Sequence, residues 1–295
     1  NELMALNAVY DQAQEKFSAG EYLDALAMFQ SIQSALPNYR DVALMIEETQ
    51  NNITVIQSMQ DALKAYDESR WEDAITGFET VQLLAPEKAD TATKEKLLNS
   101  YLRRIIQMLE HSNSSFEDIS KAETYYRRAI AMIPQSKIYQ SERENLQKIS
   151  SDLLTLKYTQ SATQLVNDPN QTLATVNQAA NYLKKAANLN PNNAVLQAEV
   201  EKITQYQIGL QYYLVMEYEP AIQSLTNLFN IDDTYANGLA KQLLYEAHVG
   251  RGKYYFRVGL YLDARREFEA AENLVWDTDN LMDLFMVEID LAETF

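Results

Sequence analysis

One spacing recurs along this chain, and it restricts the possible folds more than any bulk property does. In GEYLDALAMFQSIQSALPNY (20–39), Gly20 is followed by Tyr22, Ala25, Phe29, Ile32 and Pro37. SRWEDAITGFETVQLLAP (69–86) repeats the order with Trp71, Ala74, Phe78, Val81 and Pro86. Further copies carry Ala122, Tyr126, Ala129 and Pro134; Ala179, Leu183, Ala186 and Pro191; Tyr218, Ala221, Leu225 and Leu228; and Gly259, Tyr261, Ala264, Phe268 and Ala271. The shared alanine, at Ala25, Ala74, Ala122, Ala179, Ala221 and Ala264, returns at intervals of 49, 48, 57, 42 and 43 residues. Alanine, ring and the next apolar residue at i, i+4 and i+7 lie on one face of a helix. The small side chain lets a neighbouring helix approach to about 8–10 Å. Proline then ends the helix, because it cannot continue the hydrogen-bond ladder.

A second amphipathic segment precedes each copy. The fullest is LLYEAHVGRGKYYFRVG (243–259), with Gly252 and Tyr255; others place Gly209 with Tyr212, and Ala62 with Tyr66. A small residue and an aromatic on a first helix, a Gly-x-aromatic turn, then Ala and Phe on a second helix resemble the tetratricopeptide repeat (TPR) family. The resemblance implies an all-α, right-handed superhelical solenoid of antiparallel helix hairpins. It covers residues 1–295 as one domain of about six copies, with 277–295 as a capping helix or a truncated further copy. Family units recur every 34 residues, so the longer intervals here are a departure. The surplus follows the proline, and in 38–66 Val42, Met45, Ile46, Ile53, Ile56, Met59 and Leu63 keep helical spacing. Lengthened first helices are the expectation, with looser connections at 111–118 and 167–172 and a bend near 150–170.

Composition agrees with this reading. Seven Gly and six Pro in 295 residues, among many strong helix formers, favour an all-α chain. A net charge of −17 repels phosphate backbones and anionic lipid, so neither nucleic acid nor direct membrane binding is expected. No apolar run is long enough to span a bilayer. The absence of cysteine removes disulfides, thiolate metal sites and cysteine nucleophiles, and it fits an extracytoplasmic bacterial protein, membrane-anchored or secreted. The chain opens on Asn1 inside a helical pattern, and a piece of a longer protein is the expectation.

Nothing in the sequence selects a catalytic centre. His111 and His248 each lack the companions of a ligand set. DTDN (277–280) lacks the glycine and terminal glutamate of a calcium loop and reads better as a helix N-cap. No enzyme activity, cofactor or metal is expected. Some TPR proteins grip a partner's C-terminal carboxylate with Lys, Asn and Arg on three successive first helices. In register this chain offers Tyr10 and Gln14, then Gln60, then Arg104 and Met108, so that clamp is missing.

The resemblance leaves a concave wall of first helices. It would carry Tyr10 and Gln14; Met59, Leu63 and Tyr66; Tyr206, Leu210 and Tyr213; and Val249, Lys253, Phe256 and Arg257. Tyr206 and Tyr213 stand seven apart, and Lys253 and Arg257 four apart, so each pair shares a helix face. The four are expected to converge on one groove for a carboxylate-bearing segment. The expected function is a non-catalytic scaffold binding a protein or peptide. The alternative is a solute- or glycan-binding module of the bacterial cell envelope.

Overall fold

The computed structural model describes residues 2–110, 114–133 and 140–274. His111, Asn113, Pro134 and the expected closing segment 277–295 lie outside the described residues. All regular structure among the described residues is helical: α1 (Glu2–Ser18), α2 (Tyr22–Ala35), α3 (Val42–Asp67), α4 (Trp71–Leu84), α5 (Thr91–Leu109), α6 (Phe116–Met132), α7 (Gln140–Val166), α8 (Leu173–Leu189), α9 (Ala194–Leu214), α10 (Tyr218–Ile231), α11 (Leu239–Arg257) and α12 (Tyr261–Glu272). The chain divides into two compact units, Asn1–Gln147 and Lys148–Phe295, with the division inside α7. In the first unit α1 to α6 pack each on the next; in the second, α8 to α12 do the same, and α7 meets α8 through Tyr158 and Tyr182, ring centroids 5.8 Å apart.

The helices pair as hairpins, and the repeated alanine is the reason. Ala25, Ala74, Ala122, Ala179, Ala221 and Ala264 all lie on second helices with no accessible surface. Phe29, Phe78, Leu183, Leu225 and Phe268 are buried one turn later. The α6 copy differs: Tyr125, not Tyr126, is the buried ring, and Tyr126 is half-buried. Opposite these faces, twelve residues before the alanine, stand Ala13, Ala62, Gly209 and Gly252 on first helices, all buried. The approach is close. A Cβ added to Gly209 would sit 2.5 Å from Leu225 Cγ, and one on Gly252 would sit 2.6 Å from Phe268 Cε1. The residues after Pro37 form no inserted domain: α3 runs unbroken for 26 residues, against 14 each for α2 and α4.

Four hairpins turn by one device. Gly20, Ser69, Met216 and Gly259 all have positive φ, between 58° and 81°. In each turn the next residue's N–H reaches five residues back: Glu21 to Lys16 (2.9 Å), Arg70 to Ala65 (2.8 Å), Glu217 to Tyr212 (3.0 Å) and Leu260 to Tyr255 (2.9 Å). These bonds satisfy helix-end carbonyls and are the Schellman arrangement, which favours glycine at the left-handed residue. Side-chain caps open α6 and α8. Ser115 and Asp118 form a capping box on α6, and Thr172 and Thr175 form one on α8.

Two substitutions test this packing with opposite signs. Gly209→Ala is expected to lower stability by about 1–3 kcal/mol through overpacking against Leu225, although helix propensity alone favours alanine by about 1 kcal/mol. Ser69→Gly is expected to raise it by about 0.5–1 kcal/mol, because relief of the left-handed strain exceeds the added chain entropy. Urea denaturation of both variants measures this; a stabilised Gly209→Ala would remove the close contact from the account.

Candidate binding surfaces

The first-helix residues expected on a concave wall divide between core and surface. Tyr10 is 5% exposed, set edge-on to Phe29 and Tyr39 at 6.0 and 6.1 Å. Its hydroxyl donates to Asp41 (2.5 Å) and accepts from Gln14 Nε2 (2.6 Å). Burial, then Asp41, pushes its pKa up to about 12. Tyr206 is 3% exposed against Tyr235 and accepts from Gln171 Nε2 at 2.7 Å, with burial raising it to about 12. Both tyrosines are core pillars, not a ligand-facing wall. Residues of the second helix and of the connecting segments cover them: Phe29, Tyr39 and Asp41 at Tyr10, Tyr235 and Gln171 at Tyr206.

The remaining wall residues also have structural neighbours. Tyr66 stands edge-on to Trp71 (5.6 Å), under the Lys96 ammonium (4.4 Å) and bonded to Asn99 (2.9 Å). Met59 packs on the cluster of Val55, Val81, Ala85 and Ala89. Leu210 and Phe256 are half-buried, and Phe256 packs edge-on to Tyr261 at 5.4 Å. Gln14, Leu63, Lys253 and Arg257 are exposed. Tyr213 donates to Glu246 at 2.9 Å and lies 6.4 Å from Tyr218; burial and then Glu246 raise it to about 12.

Lys253 and Arg257 do come together. They line a cavity of about 480 Å³ between the α9–α10 turn and α11, with Met216, Tyr218, Glu219, Gly250, Arg251, Tyr254 and Tyr255. Tyr206 and Tyr213 are not among its lining residues, so the expected convergence of four is corrected to this set. Gly250 makes the cavity wall possible: a Cβ there would stand 2.5 Å from Tyr218 Cε1. Met216 and Tyr254 of its lining are exposed, as are Leu214, Val215, Val258 and Leu260 of the adjoining α9–α10 and α11–α12 turns. Such a run of exposed apolar groups is a feature of contact surfaces.

Beneath the cavity lies an ion cluster that the sequence did not reveal. Arg251 pairs with Glu219 and, at 2.7 Å, with Glu267, whose other oxygen is 2.8 Å from His248 Nδ1. Burial pushes the Glu267 carboxyl up, but the bonds from His248 and Arg251 outweigh it and hold the group below its usual range. His248 is therefore a structural residue tying α11 to α12. The first unit has a counterpart on α4. Glu72 accepts from Tyr125 (2.5 Å), Lys121 (2.7 Å) and Arg104 (2.9 Å), joining α4 to α5 and α6. Seven residues on, Glu79 binds Tyr101 and Arg128. Arg104 is thus committed to Glu72, and Met108 is buried.

Among the described residues, no group of three or more His, Asp or Glu is placed to hold a metal ion, and no helix is long and apolar enough to cross a membrane. No protein-family model and no curated protein matches the chain. Solved structures similar to it include the TPR2AB domain of yeast Sti1 in complex with an HSP90 peptide, at 13% identity over 99% of this chain and 98% of that one, TM-score 0.26. The TPR domain of P58(IPK) is similar at 14% identity over 98% of this chain and 78% of that one, TM-score 0.27.

The Glu72 clamp has a pH signature. Partial burial pushes its carboxyl up, but the bonds from Lys121, Tyr125 and Arg104 prevail and lower it from 4.5 to about 2. A depressed folded-state value contributes stability above the unfolded-state value, and that stability is lost as pH falls through the folded one. Glu72→Gln is expected to cost about 1–2 kcal/mol at neutral pH, after allowance for its partial exposure. The gap from wild type should shrink below pH 4.5 and vanish near pH 2. Urea midpoints across that range check it, and a constant gap contradicts it.

Proposed function

We propose that this chain is a non-catalytic scaffold that holds an extended, carboxylate-bearing segment of a protein partner. The site is the cavity between the α9–α10 turn and α11. One observation carries the reading: Lys253 and Arg257, in a chain of net charge −17, line the same cavity as three tyrosines. Arg257 has no ion-pair partner among the described residues. Tyr254 is exposed, and a tyrosine offers a large apolar face with a polar tip. Two cations beside such rings favour carboxylates, while the exposed Val215, Met216 and Val258 favour apolar side chains next to them. The partner segment is therefore acidic and apolar together. It binds at the turn edge of the α9–α10 and α11–α12 hairpins.

A short fluorescein-labelled peptide alternating leucine and glutamate is the probe. Lys253→Ala with Arg257→Ala should weaken its binding about tenfold or more at low salt, where exposed charges are least screened. Raising the salt should narrow the difference. Fluorescence anisotropy reads the affinity and circular dichroism the fold. Unchanged affinity in a folded double variant would exclude this cavity as the site.

A further inference from the structure

The first unit carries a crevice beside the corresponding turn, walled by an earlier part of the next first helix and edged by carboxylates where the second-unit cavity has cations. It measures about 650 Å³ and lies between the α1–α2 turn and α3. Its left-handed turn residue is Gly20, where the second-unit cavity has Met216; two residues on, Tyr22 stands where that cavity has Tyr218. The helix that forms the opposite wall is α3 in one unit and α11 in the other. Counting back from their own turn residues, Ser69 and Gly259, Asp61 occupies the position of Arg251, Leu63 that of Lys253, and Asp67 that of Arg257. Of the three, only Asp61 lines the crevice, whose α3 wall otherwise comes from Ile53, Ile56, Gln57 and Gln60.

Half-buried Tyr22 and Ile53 line the crevice, with Ile56 and Leu23, 40% and 73% exposed, as further apolar lining. Asp24 and Asp61 stand on its rim. Lys16 pairs with Glu21 at 2.5 Å and reaches Asp24 only at 3.9 Å, whereas Asp61 has no ion-pair partner among the described residues. Gln57 and Gln60 complete the wall with exposed amides. An apolar lining draws in a bulky apolar side chain, and carboxylates on two sides favour cationic neighbours in that same segment. We infer that this crevice is a second docking site, for a partner segment in which a bulky apolar residue is flanked by lysine or arginine. It goes beyond the acidic-segment site, shares no residue with it and stands or falls independently. The scaffold then holds two segments of opposite charge, one on each unit.

The probe is a short fluorescein-labelled peptide alternating leucine and lysine, titrated into the whole chain at low salt. A chain this acidic attracts any basic peptide, so the comparison is between variants of equal charge change. Asp61→Lys should weaken binding about tenfold, and Glu47→Lys, an exposed position on α3 outside the crevice, less than about twofold. Leu23→Ser, which alters no charge, should weaken it about fivefold. Lys253→Ala with Arg257→Ala should leave this probe's affinity unchanged, which separates the result from any failure of the acidic-segment site. Equal losses in Asp61→Lys and Glu47→Lys, or no effect of Leu23→Ser, would reduce the binding to diffuse acidity and overturn the proposal. So would wild-type self-association in sedimentation that Leu23→Ser abolishes, since the crevice would then belong to a second copy of the chain.

Discussion

The close approach of a small residue to a bulky one across each hairpin is the constraint on which the rest depends. At Gly252 and Phe268, and at Gly209 and Leu225, no room exists for even one methyl group between the two helices. Contact at that range fixes the register of the pair, because shifting either helix by one residue would bring a larger side chain against the ring. The register in turn fixes the turn. With the helices locked, Met216 and Gly259 must take left-handed conformations to reverse the chain in so few residues. Met216 bears strain that a glycine would not.

The turns set where each second helix begins, and that sets the surface chemistry. A ring at the start of the second helix, Tyr22 or Tyr218, is laid beside the first helix of the next hairpin. A crevice forms there, and the residues of that next helix decide its charge. On α11 those are Arg251, Lys253 and Arg257; on α3 they are Asp61 and uncharged neighbours. Glutamates on second helices do the complementary structural work, Glu72 and Glu79 in one unit and Glu267 in the other. A carboxylate with several donors links neighbouring helices, three of them at Glu72 and Glu79, without needing volume in the core. It also leaves the remaining surface acidic, so a local pair of cations stands out.

The hairpins were legible because their signal is periodic. The burial of Ala25, Ala74 and Ala264, and of Phe29, Phe78 and Phe268, follows from spacing alone. The pairing of Lys253 with Arg257 followed from a four-residue interval, which a helix turns into one face. Tyr10 and Tyr206 were misplaced because a tyrosine in a helix reads alike whether its ring lines a groove or fills a core. Only the partners far along the chain, Asp41 and Gln171, decide between the two. The Arg251–Glu219–Glu267 cluster was hidden for the same reason: its members come from three helices and share no local pattern. In the third copy one position of helical phase separated the expected ring, Tyr126, from the buried one, Tyr125.

On the proposed reading, a partner engages the turn edges of the hairpins and not the faces of the first helices. Amide hydrogen exchange of the whole chain, with and without the leucine–glutamate peptide, tests it most directly. The account predicts added protection confined to the α9–α10 turn, the C-terminal part of α11 and the α11–α12 turn, residues 214–219 and 250–260. Protection centred instead on the middle of α9 around Tyr206, or on α1 around Tyr10, would contradict it.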